Sequence, residues 1–206
     1  LLALMQVVWA FWSYSHSTRE QAERMLRESI ASFAKLSDQW GEALGLAILG
    51  EKLCGSGRFA EAETPVHRSL ALRTEIGDQW GMAMSWYVTG VLAEARGDPA
   101  RAEEAYGESL ALRELLRDVW GCALCRQQLG RLAWRTGVIH QAEQLLLDSQ
   151  AGFRHVGDQR ALAGCLVQLA DLLSSQGRQE EAQEWLAEVR RIHDHAAHLG
   201  DGLSVR

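Results

Sequence analysis

Three groups of residues in this chain have types and spacings that could support chemistry. The first is Gly55, Gly57 and Ala60, which match the G-x-G-x-x-A pattern of loops that bind dinucleotides. Such a loop needs a strand in front of it, whereas the residues before Gly55 have the apolar spacing of a helix. We therefore expect no dinucleotide site here.

The second group is the pair Cys122 and Cys125, a C-x-x-C spacing that occurs in redox centres and in half-sites for zinc. Both residues lie in a predicted helix, and neither a second pair nor a nearby His completes a tetrahedral site. Cys125 and Cys165 also stand at equivalent positions 40 residues apart, where other copies have Ser85 and Gly45. The four cysteines are thus predicted to be small packing residues, reduced in a cytoplasmic setting.

The third group is His193, His195 and His198 near the C-terminus, of which only the last two share a helical face. A serine also recurs every 40 residues, which marks a packing position and not a nucleophile; these serines are Ser29, Ser69, Ser109 and Ser149. The metalloprotease, serine-hydrolase and Walker motifs do not occur in the sequence. We predict a protein that is not an enzyme, with no catalytic residue, no metal and no cofactor.

A unit of 40 residues repeats along almost the whole chain. Its clearest mark is Asp-Gln-Trp-Gly at 78–81, which returns at 38–41, as Asp-Val-Trp-Gly at 118–121 and, faded, as Asp-Gln-Arg at 158–160. A fixed period of this length indicates an array whose units bury their apolar faces on one another. We predict one array over 1–206, with units at about 1–37, 38–77, 78–117, 118–157 and 158–198, and with 199–206 as the start of a further unit or a tail.

Each unit is predicted to fold as two antiparallel helices. In the second unit Asp38 can cap a helix that Gly57 ends, and the next helix runs from about Phe59 to Ile76. Alanine or another small residue recurs at fixed places, which means that two helices approach closely there. These places are Ala3, Ala43, Ala83, Ala123 and Ala163, then Ala10, Gly50, Gly90, Gly130 and Ala170, and on the second helix Ala22, Ala62, Ala102, Ala142 and Ala182. The expected fold class is all-α, with ten helices in five pairs.

Composition and charge exclude several classes of function. The chain has 206 residues, is 47% hydrophobic and carries a formal net charge of −6, which argues against direct binding to nucleic acid. The apolar run 1–12 is too short to cross a membrane and falls in register with the first helix of the later units. We therefore expect neither a nucleic acid nor a membrane as partner. Because the sequence lacks an initiator Met, we expect it to be a fragment of a longer protein.

The repeat resembles the tetratricopeptide repeat. Leu-Gly at 49–50 and 129–130, the alanine twelve residues after each of these glycines, and Trp86 on a first helix match that family's pattern. The resemblance covers all 206 residues, although each unit is 40 residues long in place of about 34. With Gly-Asp-x-Trp-Gly at 77–81 and Glu-Ser-Leu-Ala-Leu-Arg at 108–113, the repeat is similar to the sensor arrays of bacterial signal-transduction ATPases and related transcriptional regulators. A similar form occurs in animal polarity adaptors that hold extended peptides.

This resemblance implies a right-handed α-solenoid in which the first helix of each pair lines a concave groove. It also implies binding of a protein or an extended peptide in that groove, without catalysis. We expect a sensor or scaffold module from a larger bacterial regulatory ATPase; the alternative is a free-standing scaffold that assembles with itself. The groove residues expected to contact the partner are Phe11, Tyr14, Tyr87, Gln127, Gln128, Arg131, Trp134 and Arg135.

Three features of the sequence have more than one interpretation. In the fourth unit, amides, two guanidiniums and the indole of Trp134 share a helical face, which could hold peptide carbonyls, a carboxylate or a phosphate. The alternative is a solvated face whose Trp134 packs against the next unit. Trp40, Trp80 and Trp120 are interpreted as wedges between units, in preference to an aromatic ligand cage. The apolar face of 1–12 is expected to meet an earlier helix of the parent protein, or to drive self-association through the N-terminal unit.

Overall fold

In the computed structural model Val7 and residues 16–201 are described, and every regular element among them is an α-helix. The first of them, α1, is the second helix of the first pair, and four complete pairs follow. The prediction of an all-α fold made of paired helices is therefore confirmed. The helices are α1 (His16–Lys35), α2 (Gln39–Gly55), α3 (Phe59–Ile76), α4 (Gln79–Ala95), α5 (Pro99–Leu115), α6 (Val119–Arg135), α7 (Ile139–Val156), α8 (Gln159–Ser175) and α9 (Gln179–Asp201).

The chain divides into two compact units, Leu1–Leu112 and Arg113–Arg206. In the first unit α2 packs against α1, α3 and α4, and α3 also packs against α4. In the second unit α8 packs against α6, α7 and α9, and α6 also packs against α7. Within each unit a helix thus contacts both its partner in the pair and the neighbouring pair, which is how repeat arrays bury their apolar faces.

The aspartate of the junction motif begins the first helix of each described pair. Its side chain accepts a hydrogen bond from the backbone amide three residues later, at 2.9 Å in all four copies. This bond satisfies one of the amide donors that the first turn of a helix leaves without a partner. The residue before the aspartate caps the end of the preceding helix. Gly77, which follows α3, has a φ of 71°, a left-handed conformation that a side chain would make costly.

The recurring alanines and serines form the contacts between helices. In three pairs the serine hydroxyl on the second helix donates to the carbonyl of the first-helix alanine, at 2.7–2.9 Å. A buried hydroxyl needs such a partner, so the serine and the alanine recur together. Their predicted role as packing residues is confirmed. The three pairs are Ser69–Ala43, Ser109–Ala83 and Ser149–Ala123, and the second-helix alanines Ala22, Ala62, Ala102, Ala142 and Ala182 are all buried.

An arginine that the sequence analysis did not single out lies beneath two of the junctions. Arg73 and Arg113 are buried on the second helix of their pairs. The Nη1 atom of Arg73 lies 3.5 Å from Oδ2 of Asp78, and that of Arg113 lies 2.7 Å from Oδ2 of Asp118. Burial lowers the pKa of Arg73, and the charge of Asp78 opposes that change. The capping aspartate therefore does a second task, which is to neutralise a buried cation.

The glycine that ends the junction motif provides the space for this arginine. A Cβ atom at Gly81 would overlap Nη1 of Arg73, and one at Gly121 would overlap Nη1 of Arg113. At the first junction the ring of Phe33, on α1, occupies the equivalent space directly against Gly41 of α2. The glycine of the repeat is thus required by a neighbouring side chain and not by its own backbone angles.

The three junction tryptophans are not wedged between units as the sequence analysis predicted. Trp40, Trp80 and Trp120 are 52%, 54% and 41% exposed. The indole Nε1 of Trp120 donates to the carboxylate of Asp158 at 2.9 Å, on the surface of the second unit. The prediction failed because the arginine or phenylalanine below the junction already fills the space between the helices, which leaves the indole outside.

The last helix extends further than the repeat pattern predicted. Helix α9 continues through Leu199 and Gly200 to Asp201, where the pattern placed a new junction. In the described ranges each helix is too short or too polar to span a lipid bilayer.

Candidate binding site

In the second unit, α6 carries five of the eight side chains predicted to bind a partner, and four of them lie on one face that is at least partly exposed. Nε and Nη2 of Arg131 both donate to Oε1 of Gln128, at 3.2 and 2.7 Å. This pairing holds the guanidinium along the helix, so that its direction is fixed before any partner arrives. Both residues are partly exposed and accessible to a ligand.

Trp134 and Arg135 extend this face toward the end of α6. Arg135 is exposed, whereas Trp134 is partly buried and packs against the apolar core of the second unit. The packing interpretation of Trp134 therefore holds for one side of the indole. The two arginines lie close to Trp134 in the sequence, three residues before it and one residue after it. A partner would meet an indole that is already fixed in position.

Gln127 contributes little to this surface, because it is only 8% exposed. Its amide Nε2 lies 4.0 Å from the position of a Cβ at Gly164, on the neighbouring helix α8. Gly164 itself is exposed. The candidate binding face of the second unit thus consists of Gln128, Arg131, Trp134 and Arg135, and we name it the α6 face.

In the first unit the predicted groove residue Tyr87 belongs to an aromatic pair. Its ring centroid lies 5.5 Å from that of Tyr106, with the two planes tilted by 52°. The hydroxyl of Tyr106 donates to the carboxylate of Glu94 at 2.9 Å. Tyr87 and Glu94 lie on α4, so the buried Tyr106 of α5 contacts two side chains of α4.

Sequence reasoning missed Tyr106, although the repeat contained a clue to it. The small residue at positions 50, 90 and 130 makes room for one second-helix side chain sixteen residues later. A Cβ at Gly90 would overlap the ring of Tyr106, just as a Cβ at Gly50 would overlap Val66. Gly90 accommodates the large tyrosine of the third unit, and the glycine therefore marks its position.

Two of the predicted groove residues, Phe11 and Tyr14, lie outside the described residues. The same holds for most of the apolar run 1–12, so the predicted self-association through it stays a prediction. Val7 is the exception; it is buried in the core of the first unit with Ala22 and Leu26.

The cysteines are free thiols, and three of them are buried. Burial raises the pKa of Cys165 to about 11, and its sulfur donates to the carbonyl of Leu146 at 3.4 Å. Burial also raises the pKa of the partly exposed Cys54 to about 11. Raised values keep these thiols protonated and weakly nucleophilic at neutral pH. In the described part of the chain no three His, Cys, Asp or Glu side chains are grouped as metal ligands.

The helix pairs, the small-residue contacts and the polar first-helix face define a helical-repeat protein. Residues 162–196 match the sequence model of the tetratricopeptide repeat. No curated protein matches the chain. The match to this segment and the paired-helix fold agree with the tetratricopeptide-type pattern that the sequence predicted.

Three solved structures show the same fold. BtubC (BKLC) from P. vanneervenii has a TM-score of 0.77 and 18% identity, over 86% of this chain and 74% of that one. A putative kinesin light chain from Podosopora anserina with TPR-like repeats has a TM-score of 0.73 and 18% identity, over 94% and 95%. A Rap protein complexed with competence and sporulation factor has a TM-score of 0.59 and 14% identity, over 86% of this chain and 59% of that one. At these identities the likeness shows the fold alone.

Proposed function

We propose that this chain is a non-catalytic module that binds an extended peptide segment of a protein partner, and that the α6 face is its main contact. The observation that carries the proposal is the Arg131–Gln128 pair, because its two hydrogen bonds hold a guanidinium on a partly exposed helix face. A fixed guanidinium loses less side-chain freedom when it binds, and so gives more affinity to each bond that it forms.

The chemistry of the α6 face favours a segment that carries a carboxylate next to an apolar side chain. Arg131 and Arg135 lie four residues apart on α6, and therefore on one side of the helix. Two guanidiniums can bind a carboxylate with paired, charge-assisted hydrogen bonds. The indole of Trp134, already packed on the core, offers an apolar surface of the kind that dominates many interfaces.

The module is proposed to belong to a larger bacterial regulatory ATPase that acts in signalling in the cytoplasm. The support is the resemblance of the 40-residue unit to the sensor arrays of such proteins. A binding role is also supported by the Rap protein of similar fold, which is complexed with competence and sporulation factor. In this role the chain would receive a peptide or another domain of its parent and perform no reaction.

The test is a selection of random dodecapeptides on the immobilised chain, followed by anisotropy titration of a labelled winner. We expect winners that contain Asp or Glu beside an apolar residue. Arg131→Gln and Arg135→Ala should each weaken binding at least tenfold, about 1.4 kcal/mol, with unchanged circular dichroism. Arg154→Ala, which removes an exposed arginine of α7 in the same unit, is the matched control and should leave affinity unchanged. Equal affinity of all three variants would refute the α6 face as the site.

A further inference from the structure

Most of the large apolar side chains that are exposed in the described part of the chain lie at the junctions between pairs. In the first unit they are Leu36, Trp40, Ile76 and Trp80, which we name the first junction patch. In the second unit they are Leu115, Leu116, Val119, Trp120 and Val156, which we name the second junction patch. Soluble proteins seldom concentrate exposed apolar side chains in this way unless the surface is an interface.

Each patch is continuous across two junctions of its own unit. In the first unit the amide of Gln39 donates to the carboxylate of Glu75 at 3.0 Å, which places the junction of Trp40 beside that of Ile76. In the second unit the indole of Trp120 bonds to Asp158, which places its junction beside that of Val156. The apolar side chains of a patch are therefore neighbours on one surface.

Each patch is large enough to matter for association. Leu36 is 75% exposed and Leu115 is 68% exposed, and the indoles are about half exposed. A half-exposed tryptophan presents on the order of 100 Å². With its aliphatic neighbours each patch thus reaches a few hundred Å², a size at which exposed apolar patches are often functional.

The two patches differ in charge. The first contains the exposed carboxylates of Asp38 and Glu75, with one exposed cation, Lys35. Asp38 lacks the buried arginine that neutralises Asp78, because Phe33 stands at that position.

In the second patch the acidic groups already have partners. Arg126 binds Glu114 at 2.6 Å, and the buried Arg113 binds Asp118 at 2.7 Å. Asp158 accepts from the indole of Trp120, and the charge of Arg160 helps to lower the pKa of Asp158. The exposed cations of the patch are Arg117 and Arg160, with His155 beside them. The first patch is therefore apolar and acidic, whereas the second is apolar and basic.

We propose that the first junction patch of one copy of this chain docks on the second junction patch of a second copy. The occupant is a second copy because the chain itself carries both halves of a complementary pair, in charge and in apolar character. Arg160 stands where the repeat pattern has a tryptophan, so its guanidinium can stack on Trp40 or Trp80 of the other copy. This surface is separate from the α6 face, and the inference does not rest on the proposed function.

The test is sedimentation velocity of the full chain and of two charge variants. The first variant, Asp38→Asn with Glu75→Arg, makes the first patch basic and keeps a residue that can cap α2. The second variant, Arg117→Glu with Arg160→Glu, makes the second patch acidic. We expect the wild type to associate and each variant alone to sediment as a monomer, with at least a tenfold higher dissociation constant.

An equal mixture of the two variants should associate again, since each reversed patch then meets a complementary one. Glu104→Arg, a reversal at an exposed position of α5, is the matched control and should associate like the wild type. Trp40→Gln should weaken association independently of charge, with helicity checked by circular dichroism. A wild type that stays monomeric at millimolar concentration, or a mixture that stays monomeric, would overturn the proposal and leave the patches to a different partner.

Discussion

Replacing Gly121 by alanine should destabilise this protein, although the same change stabilises most helices. Alanine is favoured over glycine inside a helix by about 1 kcal/mol. At position 121, however, the new methyl group would overlap Nη1 of Arg113 and Oδ2 of Asp118. The buried guanidinium would have to move, and with it the 2.7 Å ion pair.

The expected cost follows from the burial of Arg113. Breaking a buried ion pair by removing one partner costs about 3–5 kcal/mol, and overpacking a core costs about 1–3 kcal/mol. The ion pair is displaced here and not lost, so a cost of about 2–3 kcal/mol remains after the helix preference is subtracted. Urea unfolding followed by circular dichroism measures it as a lower midpoint.

Gly107 is the matched control for this measurement. It lies inside α5, and nothing lies within 4 Å of a Cβ placed there. Gly107→Ala should therefore raise stability by about 0.5–1 kcal/mol. In the double variant Gly121→Ala with Arg113→Met the flexible uncharged side chain can yield, so most of the loss should be recovered. If Gly121→Ala raised stability as Gly107→Ala does, the reasoning about the buried arginine would be wrong.

Two further predictions concern acid stability and thiol reactivity. Arg58 donates to Glu23 at 2.6 Å and holds the pKa of Glu23 below its usual value. The stability that this ion pair contributes is therefore present above about pH 4.3 and is lost as the pH falls through the folded-state pKa of Glu23. Glu23→Gln should therefore lower the urea midpoint at pH 7 but not at pH 2, whereas a difference that persists at pH 2 would contradict the ion pair. Cys165 should resist iodoacetamide at pH 8 until the chain unfolds, and the partly exposed Cys54 should be alkylated first, as mass spectrometry of the digest can show. Rapid labelling of Cys165 in the native protein would show that it is not buried.

The sequence was sufficient to predict the helix pairs and their contacts, because a fixed period forces equivalent residues into equivalent surroundings. The alanine at position 62 and the serine at position 69 recur in phase, and the structure buries both. A contact that every unit repeats is visible in one sequence without any alignment. For the same reason the aspartate caps could be placed to the residue.

The parts that could not be predicted are those in which the units differ. Phe33 and Arg73 occupy the same space, but a hydrophobic scale treats one as core and the other as surface. Nothing in the sequence indicated that Arg73 is buried below the junction, and Trp80 was wrongly placed between the units. For Gln127 the helical spacing could not show that the amide is buried, with Nε2 close to Gly164 of the neighbouring helix α8.

The buried arginine also restricts how this chain can have grown by duplication. An arginine at position 113 needs an aspartate five residues later and a glycine eight residues later, and the three must be inherited together. The fourth junction has Phe153 followed by Ala161, so a crossover that joined Arg113 to the segment after 153 would press a methyl group into a guanidinium. A crossover that joined Arg73 to the segment after 113 would preserve all three residues and delete one whole unit. Copies of the units before the fourth junction can therefore be gained or lost by recombination, whereas an exchange that joins Arg113 to the segment after 153 carries a folding defect.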